Sequence, residues 1–159
     1  MKKDQFCEYA LNAFRPAESM LKMVPADKLD WKPGPSFMTL GQLICHLGSG
    51  IGEELRMLVN NSWPKPEDMG GAMHQMPSCG VAEALAKLEK DKETLREILA
   101  GVTEEEFAGK IVSTPWGMKG TLEIMALEFK EHFVNHKMQL FLYLKLLGFP
   151  VNTETLYMG

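Results

Sequence analysis

Apolar residues along the chain recur mostly at helical spacing. Between Lys3 and Met23, the residues Phe6, Tyr9, Ala13, Phe14, Ala17, Met20 and Leu21 fall on one stripe, predicting a first helix. Pro16 lies inside that stripe and predicts a kink or break, because its ring removes an interior hydrogen bond. Pro25 ends the segment. A connector, Asp30-Trp31-Lys32-Pro33-Gly34-Pro35, follows. Thr39 and Gln42 then have the spacing of a capping box. Leu40, Leu43, Ile44, Leu47, Ile51, Leu55 and Leu58 continue one stripe, predicting a second helix. Residues 61–80 hold Pro64, Pro66, Gly70, Gly71, Pro77 and Gly80. That is a long loop, readable as a lid, an oligomer contact or a surface insert.

A third helix is predicted over about Val81–Ala100, on the stripe Val81, Leu85, Leu88, Leu95, Ile98, Leu99 and Val102. Thr103 with Glu106 can cap a short extra turn. The segment Lys110–Trp116 has some strand character, which Pro115 and Gly117 keep short. Thr121 can cap a last long helix running to about Leu147, where Gly148 and Pro150 stop it. This helix is apolar around much of its circumference (Leu122, Met125, Leu127, Phe129, Phe133, Leu140, Phe141, Leu144), so bundle partners or a second subunit must cover it on more than one side. Four long helices and almost no strand predict an all-α, up-and-down four-helix bundle with a long loop between its second and third helices.

Composition narrows the picture. The 159 residues fit one domain, 1–159, large enough to bury a core without disulfides or a structural metal. Any metal site is therefore free to be functional. The net charge of −4, with no Lys/Arg block, argues against a nucleic acid partner. No apolar run reaches the roughly 18 residues that cross a bilayer, and there is no basic amphipathic helix, so no membrane partner is expected. Cys7, Cys45 and Cys79 form no CxxC pair, and no signal-peptide core follows Met1. A reduced cytoplasmic setting is the simplest reading.

Chemistry concentrates in Glu131-His132-Phe133-Val134-Asn135-His136. Two histidines four apart in a helix leave the same face, one turn above the other, as two ligands of one ion would. Taken alone, the pair also reads as two solvated or core-edge histidines. A zinc-protease motif needs Glu directly after the first His, where Phe133 stands. His46, in Leu43-Ile44-Cys45-His46-Leu47, lies at the border of a buried stripe and needs a partner, which a backbone carbonyl or a metal could supply. Together, His46, His132 and His136 suit Zn, Ni, Fe or Co, and the donor types do not choose among them. Three protein ligands leave positions open, as catalytic sites do. Glu128, one turn before His132, is a candidate to orient an imidazole, or else a plain surface carboxylate. Glu53, seven residues after His46, is a further candidate for the same cavity. His74 reads as solvated, and Cys45, about 100° from His46, as buried filler. Gly48-Ser49-Gly50-Ile51-Gly52 lies in a helical pattern and is no dinucleotide fingerprint; its small residues let another helix approach or leave room for a ligand. Trp31, Trp63 and Trp116 sit in connectors at the bundle ends, where Trp116 could edge a pocket.

The Asp30-Trp31-Lys32-Pro33 connector, the helix bearing Leu43-Ile44-Cys45-His46-Leu47 and the late His132-x-x-x-His136 together resemble the DinB/YfiT-like superfamily over nearly the whole chain. The resemblance implies a four-helix bundle, a divalent metal on the three histidines that match His46, His132 and His136, and a homodimer. Some relatives are thiol-dependent transferases or isomerases using bacillithiol or mycothiol, which implies a low-molecular-weight thiol as cosubstrate. In the family, Arg-Gly-Gln often follows the second histidine of the H-x-x-x-H pair; here Lys137-Met138-Gln139, after His136, keeps only the Gln. The expected function is a metal-dependent enzyme that activates a small thiol or water for transfer to a small electrophile. The alternatives are a non-catalytic ligand- or metal-binding protein, a metal that merely ties two helices together, and a metal-dependent hydrolase.

Overall fold

The computed structural model describes residues 1–64 and 76–159; His74 lies outside them. Helix α1 spans Lys3–Leu21. After a short 3-10 turn at Ala26–Lys28 come α2 (Leu40–Leu47) and α3 (Gly52–Asn60). Then follow α4 (Val81–Gly101), α5 (Glu104–Gly109), the hairpin β1 (Ile111–Ser113) and β2 (Lys119–Thr121), α6 (Leu122–Leu146) and α7 (Thr153–Tyr157). The long elements form an all-α bundle. Helix α1 packs on α4 and α6, α2 lies against α6 and α4, and α3 runs along α4. Aromatic contacts mark the core, including Phe14 on Phe133 with ring centroids 4.7 Å apart and Phe6 on Phe107 at 5.6 Å.

The local signals act as their chemistry requires. The Thr39 hydroxyl accepts from Gln42 N–H at 3.2 Å, and the Gln42 side chain accepts from Thr39 N–H at 2.9 Å. Thr103 and Glu106 make the same reciprocal box. Thr121 caps α6 by accepting from Ile124 N–H at 3.3 Å. Gly148 follows α6 at a φ of 87°, the left-handed conformation that glycine takes without strain.

Three expectations change. Helix α1 continues through Pro16. Its neighbours Phe14 and Ala17 are fully buried, and that packing holds the helix where one hydrogen bond is lost. The strand character near Lys110 resolves into a hairpin, with Ile111 opposite Thr121 and Ser113 opposite Lys119. The expected second helix is two helices, interrupted at residues 48–51.

That interruption has an identifiable cause. A helix start leaves several N–H groups without intrahelical acceptors. Here the buried Asp91 of α4 supplies them: its carboxylate accepts from Ile51 N–H at 2.9 Å, Gly52 N–H at 3.0 Å and Glu53 N–H at 2.8 Å. A Cβ at Gly52 would stand 2.2 Å from the Asp91 carbonyl oxygen, and one at Gly50 would stand 2.7 Å from the Phe133 ring. The small residues thus permit the close approach of α4 and α6, as their spacing suggested.

Candidate metal centre

His46 projects from the last turn of α2, and His132 and His136 from the middle of α6. Packing of α2 on α6 brings the three rings together. One nitrogen from each lies within 4.8 Å of the other two. The His132 and His136 Nε2 atoms are 2.9 Å apart, and the His46 and His132 Nε2 atoms 3.4 Å apart. Two nitrogens bound to one ion at ~2.0–2.1 Å stand about 2.9 Å apart at a right angle and about 3.3 Å apart at the tetrahedral angle. The observed separations match that span. Three inward-facing lone pairs repel one another unless a proton or cation lies between them, so the donor set fits a transition-metal ion.

The outer nitrogens of the α6 pair are held by hydrogen-bond partners. His132 Nδ1 lies 3.2 Å from Glu54 Oε1 of α3. His136 Nδ1 is 3.0 Å from Gln139 Oε1, an acceptor, so this nitrogen carries the proton and leaves Nε2 bare. The Gln139 amide then donates to the Tyr143 hydroxyl at 3.0 Å, and that hydroxyl donates to the Met38 carbonyl at 3.0 Å. Gln139 is therefore held at its oxygen by His136 and at its nitrogen by the buried Tyr143.

Burial, with His136 and His132 adding to it, pushes His46 down to about 4, so its imidazole is neutral at physiological pH. Burial also lowers His136. Contact with Glu54 raises His132 instead. Burial pushes the Glu54 carboxyl up, against the opposing pull of His132. A neutral imidazole is the ligating form, and two of the three are held in it.

Beside His132 lies a cavity of about 470 Å³. Trp116, Met118 and Phe129 form its apolar wall, and Glu54, Asn135, Glu128 and Glu131 its polar one. Trp63 braces Trp116, with ring centroids 4.9 Å apart. Glu128 is thus near the site but exposed; the carboxylate in contact with His132 belongs to Glu54, which sequence reasoning missed. Glu53 does not share this cavity. It bonds Arg56 at 2.8 Å and lines a separate cavity with Ser49, Lys87 and Asp91. Counting seven residues on from His46 assumed an unbroken helix, and the interruption at 48–51 resets the phase, so position 54 turns towards α6.

A helical bundle carrying three converging imidazoles, with a cavity at one of them, defines a class of candidate metal-binding proteins. The family model described as the DinB superfamily matches residues 13–139, and the chain belongs to that superfamily. Among solved structures, a protein assigned to the DinB family from Exiguobacterium sibiricum is similar at 18% identity and a TM-score of 0.72, covering 98% of each chain. A DinB-like protein from Bacillus subtilis is similar at 16% identity and a TM-score of 0.66, covering 92% of this chain and 94% of its own. At these identities the likeness concerns the fold. No curated protein matches the chain.

Proposed function

We propose that the protein is a metal-dependent enzyme that activates a small thiol for transfer to an electrophilic small molecule, with His46, His132 and His136 as ligands of a divalent transition metal, Zn or Ni foremost. The observation that carries this reading is the convergence of three Nε2 atoms at metal-compatible separations. A divalent ion held there supplies Lewis acidity, which lowers the pKa of a thiol or a water enough for it to act as a nucleophile near neutral pH.

The chain's own residues do the rest. Glu54 and Gln139 fix the two α6 imidazoles in rotation and tautomer. Trp116, Met118 and Phe129 offer an apolar surface for the electrophile. A thiol is the nucleophile that the resemblance favours. For the hydrolytic alternative, Glu54 is engaged by His132, which leaves the exposed Glu128 and Glu131 of the cavity wall as the carboxylates to serve as base.

The expected test incubates the metal-loaded protein with a low-molecular-weight thiol and a panel of small electrophiles. Thiol consumption should depend on metal and fall at least about 100-fold in His132→Ala. Consumption that His132→Ala leaves intact would remove the reading. Tight ligand binding without product would favour the non-catalytic alternative.

No helix among the described residues is long and apolar enough to cross a membrane. A reduced, cytoplasmic setting remains our reading from the cysteine pattern. The homodimer that the resemblance implies would place a second copy on α6, where Met138, Leu142 and Leu146 repeat every four residues and stand exposed. Sedimentation of the purified chain checks it: a monomer at all concentrations would end that reading.

A further inference from the structure

Two of the three cysteines meet beside α2, turned away from the histidines. Cys45 and Cys79 are 3% and 6% exposed, and their Sγ atoms lie within 4.8 Å of each other. The backbone explains the approach. Cys79 N–H donates to the Gly41 carbonyl at 3.3 Å, one helical turn before Cys45, and the Gln42 amide donates to the Met76 carbonyl at 3.2 Å. A side chain on Gly41 would meet Ser78 Oγ at 2.3 Å, so a glycine there lets the segment 76–80 lie against α2. Pro77 and Ser78 are exposed, which leaves the two thiols under a thin cover of chain.

An exposed carboxylate, Glu83, also comes within 4.8 Å of both sulfurs, the arrangement of a possible second cation site. The Lys87 ammonium already donates to Cys45 Sγ at 3.3 Å, and a cation in that place opposes a second one. Thiol chemistry is what the cluster favours. Burial and the neighbouring Cys45 push the Cys79 thiol up to about 12, so Cys79 rests protonated against its neighbour and enters as the second, resolving sulfur.

We propose that Cys45 and Cys79 are a dithiol that small peroxides oxidise to a disulfide and small thiols reduce again. In the forward direction one sulfur attacks a peroxide oxygen, the O–O bond breaks, and a sulfenic acid forms with release of one water. The second sulfur displaces the sulfenic oxygen as another water. Two S–H bonds are lost, one S–S bond is gained, and hydrogen peroxide takes both electrons and both protons. Two equivalents of a small thiol return the pair to the dithiol by exchange. The bond would tie the segment entering α4 to α2 at the position next to His46. A reversible bond of this kind is the form disulfides take in reducing compartments.

The experiment treats the full-length, metal-free protein with hydrogen peroxide, blocks the remaining thiols and digests without reductant. The three thiols titratable in denaturant should fall to one, the mass should drop by about 2 Da, and the peptides carrying Cys45 and Cys79 should be joined. Dithiothreitol should reverse all three changes. Cys7→Ser should keep the linked product, and both Cys79→Ser and Cys79→Ala should lose it while melting cooperatively. Sulfinic or sulfonic acid at either position without a linked peptide would overturn the proposal. So would zinc that shields both thiols from alkylation and stays bound in the His46→Ala, His132→Ala double variant, since the cluster would then be a metal site.

Discussion

The decisive residue contacts lie outside the three imidazoles. Glu54 touches His132, whereas Glu128 is exposed on the cavity wall. A carboxylate that orients a ligating histidine typically contributes about 10–100-fold to metal affinity. Glu54→Gln should therefore weaken metal binding by that factor in a chelator-competition titration, and Glu128→Gln should leave it unchanged. Equal losses in the two variants would mean that the His132–Glu54 contact has no special part. The histidines also set a pH response in the metal-free protein. In the unfolded chain His46 takes up a proton as the pH falls below 6.5, but in the folded chain not until about 4. Its contribution to stability is thus present above that window and lost as the pH falls through it. His132 acts in the opposite sense, since Glu54 raises it: its contribution is present at low pH and fades as the pH rises through its folded value. Replacing His46 by Gln should remove the acid-side loss, on the order of 2 kcal/mol between pH 7 and pH 4, as measured by urea unfolding at both values. Parallel losses in parent and variant would assign the acid sensitivity elsewhere.

Among the elements, the interruption between α2 and α3 matters most to the site. It turns Glu54, rather than Glu53, towards α6, and it depends on Asp91 of a different helix. Asp91→Ala would strip the acceptor from three N–H groups at the start of α3. The expected loss is on the order of 3 kcal/mol in chemical denaturation, with weaker metal binding because α3 carries Glu54. A variant as stable as the parent would show that water replaces the carboxylate. The same element explains what was legible in the sequence. Caps such as Thr39, Thr103 and Thr121 and the stop at Gly148 are local, so spacing revealed them. The convergence of His46 with the α6 pair followed from which faces are apolar. The break at 48–51 was not readable, because the leucine stripe runs on through it and its cause lies 40 residues away in Asp91. Glu54 was missed for that reason. Cys45 and Cys79 were equally invisible as a pair, since α3 and the stretch after it lie between them, and long-range bonds such as Cys79 N–H to the Gly41 carbonyl and the Gln42 amide to the Met76 carbonyl bring them together.

At the scale of the molecule, the bundle serves as a rigid frame for three imidazoles, two of which burial holds neutral while Glu54 raises the third, His132. Aromatic packing of α1 on α6, through Phe14 and Phe133, fixes the helix that supplies two of them. The frame buries a large core of its own, so a bound ion is an addition to the fold and not its foundation. An ion that binds only the folded chain must nevertheless raise the melting temperature. Elemental analysis of the purified protein, beside His46→Ala and His132→Ala, is the sharpest test of the metal centre. One transition-metal ion per chain is expected in the parent, with a lower melting temperature after chelation and loss of the ion in both variants. A parent that takes up no ion after reconstitution with Zn, Ni or Mn, or variants that keep it, would contradict the assignment of His46, His132 and His136 as a metal centre.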